Sequence, residues 1–203
     1  MRKVAVVFGG KSVPDKMFQN APVQEVEICE GVTSIGDYAF QYCSGLTSVT
    51  IGNSVTSIGY NAFRNCAGPT SITIPDSVTS IGSGAFRNCT GLTSVTIGNS
   101  VTRIGSYAFS DCTGLTSITI PDSVTGIGFG AFDGCTSLEN MTLPFVGGSA
   151  TSNTYLGYIF GASDYSSNSS YVPASLKSVI LSDACTSIGS SAFYYCYRLT
   201  SVT

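Results

Sequence analysis

Cysteine is the residue type here with the most latent chemistry, and its placement is periodic. Cys43, Cys66, Cys89, Cys112 and Cys135 stand 23 residues apart, each three residues after Phe40, Phe63, Phe86, Phe109 or Phe132. A thiol can hold a metal, close a disulfide or act as a nucleophile, and each use has its own spacing. No Cys-x-x-Cys pair occurs, and a spacing of 23 is no zinc signature. A fixed period in this range marks a stack of rungs, and equivalent atoms on adjacent rungs lie about 5 Å apart, so a bridge stays open in principle. Burial as a small hydrophobe is the simpler account and predicts reduced thiols. Cys29 and Cys185 fall outside the framework position and are reactive if exposed.

Other chemistry is sparse. There is no histidine, so the commonest general base, the usual triads and most zinc sites are missing, and Gly-x-Ser-x-Gly does not occur. Asp37, Asp111 and Asp133 occupy variable positions suited to a solvated surface rather than to an acid/base pair. Glu25, Glu27 and Glu30 gather at one end of the repeats, where they solubilise it. Ala5 to Ser12 satisfies a permissive phosphate-loop pattern, but Val6, Val7 and Phe8 fill the loop and Val13-Pro14 is a poor helix start, so chance explains it. No enzyme, cofactor or metal is expected.

The elements that carry these residues are legible in one copy. Leu92, Val95 and Ile97 settle into alternation with Ser94 and Thr96 facing the other way, as a strand with one buried side requires. A Gly-Asn-Ser or Pro-Asp-Ser turn follows, then Val-Thr-x-Ile-Gly-x-x-Ala-Phe-x-x-Cys, whose apolar spacing predicts one short helical or 3₁₀ turn per rung. The expected fold is a β-rich α/β solenoid of roughly seven to eight rungs, each stacked on its neighbours because none can bury its apolar face alone. Residues 1–24 are read as a non-repeat segment and 25–203 as a single solenoid. Gly52-Asn53, Pro75-Asp76, Gly98-Asn99 and Pro121-Asp122 alternate, pointing to a 46-residue pair as the duplicated unit. Pro69 stands where Leu is expected and predicts a looser rung. An irregular insert at about 146–173 is rich in Gly, Ser, Asn and Tyr; within it Leu156 to Phe160 reads as a shortened Ile-Gly-x-x-Ala-Phe.

The pattern Leu-x-x-Val-x-Ile-Pro-x-x-Val-x-x-Ile-Gly-x-x-Ala-Phe-x-x-Cys resembles the BspA-like class of leucine-rich repeats over residues 24–203. The resemblance implies a right-handed leucine-rich-repeat array, found on surface-attached or secreted proteins of host-associated bacteria and some protists, acting in adhesion or protein interaction.

Function then becomes a matter of surfaces. Ser48, Thr50, Ser71, Thr73, Ser94, Thr96, Ser117 and Thr119, followed by Asn140 and Thr142, lie on the strand side opposite the core and stack into hydroxyl ladders. Repeat arrays bind through extended concave faces, and such a face suits a glycan or an extended protein; simple solvation is the alternative. Tyr155, Tyr158, Tyr165 and Tyr171 in the insert resemble paratope chemistry, or else pack on their own rung. Charged residues make up only 10% of the chain with a net charge of -3 and no basic stripe, so nucleic acid is not expected. No apolar run reaches the length of a membrane span, and Val4 to Phe8 is too short for an export signal. A host or extracellular-matrix protein or glycan is the expected partner, at the cell surface or in secretion, with self-association through an uncapped C-terminal rung also open. A structural spacer or an intracellular scaffold is the alternative.

Overall fold

A computed structural model describes residues 4–6 and 10–203. Among them, nine parallel strands line one side of a β-solenoid: Val4–Val6, Glu25–Ile28, Ser48–Ile51, Ser71–Ile74, Ser94–Ile97, Ser117–Thr119, Asn140–Leu143, Ser178–Leu181 and Ser201–Val202. A second side carries two-residue strands, Ser12–Val13, Ser34–Ile35, Ser57–Ile58, Ser80–Ile81, Arg103–Ile104 and Gly126–Ile127, paired in one unbroken six-stranded ladder.

The third side corrects one expectation. No helix or 3₁₀ turn forms in the regular rungs; the Gly-x-x-Ala-Phe-x-x-Cys stretch is a run of consecutive turns. Its peptide groups alternate in direction. The N–H groups of Tyr38, Phe40 and Tyr42 cross to the carbonyls of Tyr60, Ala62 and Arg64 on the next rung, whereas those of Ala39, Gln41 and Cys43 turn back to Gly36, Tyr38 and Phe40. A helix points every N–H the same way along its own axis, so it leaves none to bond a neighbouring rung. Alternation requires left-handed residues, and Tyr38, Tyr42, Asn61, Asn65, Asn88, Tyr107 and Asp111 have positive φ, with Gly84, Gly130 and Gly134 at equivalent positions. Asn, Asp and Gly tolerate that region best, which explains their frequency at these variable positions.

Inside the stack, Phe18, Phe40, Phe63, Phe86, Phe109 and Phe132 form a column of near-parallel rings 5.0–5.6 Å apart. The repeated Val, Ile, Ala and Leu positions close the core around them. Phe18 shows that the segment ahead of residue 25, read from sequence as outside the repeat, takes a rung's place. Val4–Val6 pairs with Glu25–Ile28, Ser12–Val13 pairs with Ser34–Ile35, and the Phe18 carbonyl accepts the Cys43 thiol at 3.0 Å. Val13, Phe18 and Ala21 stand for the framework Ile, Phe and Cys, a signal hidden by Pro14 and Met17 in place of Gly and Ala.

The insert enlarges one rung without leaving the stack, since Asn140–Leu143 pairs directly with Ser178–Leu181. Its 3₁₀ segment Leu156–Phe160 takes the place of Ala-Phe, with Phe132 donating its N–H to Ile159 as Phe109 does to Ala131. Asn168, fully buried, clamps the insert: its Oδ1 accepts from Gly157 N–H and its Nδ2 donates to the Tyr194 carbonyl, both at 2.8 Å. Asn168→Ala leaves the buried Gly157 N–H and the partly buried Tyr194 carbonyl without their partner and is expected to cost about 1–3 kcal/mol, with hydrogen exchange rising first around residues 155–171. Uniform loss of protection along the stack would contradict it.

Candidate functional site

The strand side bearing Ser and Thr is not one sheet. Its ladder breaks between Ser48–Ile51 and Ser71–Ile74, and again between Ser94–Ile97 and Ser117–Thr119. The bond that opens each strand pair follows the same rhythm. Thr47 N–H reaches Gln24 at 2.7 Å, Thr93 reaches Thr70 at 2.8 Å and Glu139 reaches Thr116 at 2.8 Å, but Thr116 reaches Thr93 only at 3.5 Å and Thr70 makes no such bond to Thr47. The wider joint is the one beside Pro69.

Turn chemistry accounts for the pairing of rungs. Gly52 and Gly98 tuck against the preceding rung so closely that a Cβ would stand 2.5 Å from the carbonyl oxygens of Ile28 and Pro75. Pro75 and Pro121 hold the same repeat position, and their rings cannot approach that way. Carboxylates reinforce the closed joints, with Asn53 N–H donating to Glu30 and Asn99 N–H to Asp76. Proline alone is insufficient: Pro144 occupies the position too, yet Asn140–Leu143 stays paired and Ile120 N–H bonds Thr142 at 2.9 Å. The strand side thus divides into sheets of three, two and four strands, with its breaks at the turns of Pro75 and Pro121, while the second side runs through without a break.

Over each open joint lies a cleft. The first, about 430 Å³, is lined by Ser48, Thr50, Asn53, Ser71, Thr73 and Pro75, and the second, about 440 Å³, by their equivalents Ser94, Thr96, Asn99, Ser117, Thr119 and Pro121. All eight hydroxyl residues foreseen from sequence are exposed here. None of their hydroxyls bonds another described residue, in contrast to Thr56, Thr79, Thr102 and Thr125, each of which donates to the carbonyl of the preceding rung's threonine at 2.9–3.2 Å. Asn53, Asn99 and the two prolines were not singled out by sequence reasoning, although the Gly-Asn/Pro-Asp alternation marks their position.

The four tyrosines divide. Tyr158 packs against the core edge-on to Phe129 at 5.5 Å and to Tyr155 at 6.0 Å, and Tyr155 donates its hydroxyl to the Ala162 carbonyl. Desolvation holds the Tyr155 phenol above its ordinary range. Tyr165 and Tyr171 are exposed, and Tyr165 meets Tyr194, which continues through Tyr195 to Tyr197. The last three were legible in the Tyr194-Tyr-Cys-Tyr197 run. Tyr195 and Tyr197 line a cavity of about 190 Å³ with Asn168, Arg198 and Leu199.

The cysteines form no bridge. Cys66, Cys89, Cys112 and Cys135 each donate the thiol to the phenylalanine carbonyl of the preceding rung at 3.1–3.2 Å. Burial pushes the Cys89 and Cys135 thiols well up and Cys112 to about 12, so these groups remain protonated and inert. Cys29, Cys185 and Cys196 are half-buried, with burial raising Cys196 to about 11. Labelling of the folded protein at neutral pH with a maleimide, read by mass spectrometry, is expected to modify Cys29 and Cys185 first and to leave the five fully buried thiols intact until denaturant is added.

Among the described residues no group of three or more His, Cys, Asp or Glu could hold a metal, and no helix is long and apolar enough to cross a membrane. The phosphate-loop pattern lies partly outside the described residues, at Val7, Phe8 and Gly9; its Ser12 begins a strand, not a helix.

A stack of parallel rungs with a solvent-facing polar strand side and a packed, chemically inert interior defines a repeat-protein binding scaffold. The chain belongs to the family described as BspA type leucine rich repeat region, matched in six copies over residues 11–139, 57–171 and 164–203. A leucine-rich repeat protein of T. pallidum is similar to it at 31% identity and TM-score 0.65, over 68% of this chain and 69% of that one. A leucine-rich cell surface protein of Faecalibacterium prausnitzii matches at 25% identity and TM-score 0.53, over 98% of this chain and 68% of that one. A leucine-rich repeat protein of Eubacterium ventriosum, 21% identical with TM-score 0.54 over 99% of this chain and 54% of that one, shares the fold. No curated protein matches the chain.

Proposed function

We propose that this chain is a non-catalytic binding module, of the surface-adhesion or protein-interaction kind, which engages its partner through the Ser/Thr side and the exposed tyrosines around the insert. One contrast carries the reading. Threonines of the Val-Thr positions spend their hydroxyls on the stack, while the hydroxyls of Ser48, Thr50, Ser71, Thr73, Ser94, Thr96, Ser117 and Thr119 are left unpaired and facing out. Aromatic side chains at Tyr165, Tyr171, Tyr194 and Tyr197 add rigid contact area of the kind enriched in protein-recognition sites. A cell-surface or secreted location is supported by the similarity to the leucine-rich cell surface protein of Faecalibacterium prausnitzii. The intracellular scaffold reading draws on the eight free thiols, which suit a reducing compartment.

The test is binding of the purified chain to a panel of extracellular-matrix proteins and glycans, beside a variant with the exposed Tyr165, Tyr171, Tyr194 and Tyr197 changed to Ser and another with the eight Ser/Thr positions changed to Ala. Saturable binding weakened at least about tenfold in either folded variant is the expected result. No binding to any member of the panel would leave the spacer or scaffold reading in possession.

A further inference from the structure

We propose that the two clefts bind a neutral, linear polysaccharide that runs along the stack and seats one short stretch of sugars in each. This rests on the Ser/Thr side being the binding surface and specifies its ligand. Neither cleft is lined by a charged side chain; the polar lining is hydroxyl and carboxamide only, so an anionic ligand finds no counter-charge. Hydroxyls and carboxamides both donate and accept, as do the hydroxyls of a sugar.

Below the polar rim lies an aliphatic floor. Ile51 and Ile97 are 7% exposed, whereas Ile28, Ile74 and Ile120 at the matching position in other rungs are at 1%, and Val95 at 8% compares with 4% for Ile72 and 3% for Ile118. The first joint thus uncovers apolar carbon at Ile51 and half-buried Val49, and the second at Val95, Ile97 and half-buried Pro121, a surface for the C–H face of a pyranose. The two clefts are equivalent residue for residue and two rungs apart, on the order of 10 Å along the stack, which is about the length of a disaccharide. A periodic site calls for a periodic ligand.

An extended peptide inserted as an extra strand fits less well. Insertion needs about 4.8 Å of additional separation, but the second joint opens its Thr116–Thr93 bond only to 3.5 Å, from 2.8 Å in the closed pair Thr93–Thr70. At the first joint, as at the second, the facing two-residue strands of the same rungs stay paired, Ser57–Ile58 with Ser80–Ile81 and Arg103–Ile104 with Gly126–Ile127, which limits how far the rungs part. The joints admit side groups from above, not a strand.

The experiment is calorimetric titration of the chain with uncharged β-1,4- and β-1,3-linked oligosaccharides of increasing length, with heparin fragments as the anionic comparison. Short neutral oligomers are expected to bind weakly, and affinity to rise by about a hundredfold once the chain is long enough to engage both clefts. Ser71→Arg or Ser117→Arg, each blocking one cleft at an exposed position, should return long oligomers to the affinity of short ones, and both together should abolish binding. Should the arginine variants fail to fold, the isosteric Thr73→Val and Thr119→Val pair gives the same order of effects at smaller size. Binding that ignores length, favours heparin, or survives both blocked clefts overturns the proposal. Binding of a protein by the Ser/Thr side with no neutral glycan bound overturns it too, and leaves the binding-module reading standing.

Discussion

Raising the pH above about 9 is expected to unfold this protein steeply, and the buried thiols are the reason. Cys89, Cys112 and Cys135 are pushed above their ordinary value of 9.0 by burial. A thiol with a raised folded pKa keeps its proton in the native state while the same thiol ionises in the unfolded chain. The unfolded state then binds fewer protons, so stability is fully present below pH 9 and falls as pH rises toward about 12 for Cys112. Each such group contributes about 1.4 kcal/mol per pH unit, so three acting together give a slope of roughly 4 kcal/mol per unit. Against a typical stability of about 5–15 kcal/mol, unfolding is expected within about one to four units above pH 9. Urea denaturation at pH 7.5, 9, 10 and 11 under reducing conditions measures it. Replacing Cys89, Cys112 and Cys135 by Ala should flatten the slope while lowering stability at neutral pH; an unchanged slope in that variant would assign the alkaline transition to other groups.

The second large effect is expected from Phe86→Ala. Phe86 is buried at the middle of the ring column, 5.4 Å from both Phe63 and Phe109. Truncation removes the largest side chain of its rung and leaves a cavity that cannot collapse, because the continuous ladder of two-residue strands and the cross-rung bonds of the turn segment fix the spacing of the rungs above and below. A loss of about 3–5 kcal/mol is expected. Since a solenoid's stability is a sum of rungs and nearest-neighbour interfaces, a weak central rung also divides the stack. Denaturant unfolding should broaden or split into two steps in the variant, whereas Tyr171→Ala, at an exposed ring, should shift stability by no more than about 0.5 kcal/mol. A loss below about 1 kcal/mol for Phe86→Ala would mean that the column does not hold the rungs together.

Much of this was written in the residues. Period, alternation and the Phe and Cys columns follow from side-chain type and spacing, because a buried apolar position recurring at a fixed interval has only one way to stay dry: stacking on its own copies. The positions of the two breaks were marked by the Gly-Asn/Pro-Asp alternation, and the hydroxyl side was visible in the strand pattern. Two things needed the tertiary structure. The turn segment reads as helix in sequence, since an apolar spacing of three to four residues looks the same whether its N–H groups bond within the segment or to the next rung, and that choice belongs to the neighbour. Likewise Val13, Phe18 and Ala21 carry too few framework positions to declare a rung, yet they form one because Phe40 and Cys43 present a ring face and a thiol to cover them. The clefts belong to the same class. Glycine and proline at one repeat position set how near two rungs can come, but whether a joint opens is decided by the pair of rungs that meet there, as Pro144 in a closed joint demonstrates. Sequence determined what each rung is; contact between rungs decided where the surface opens.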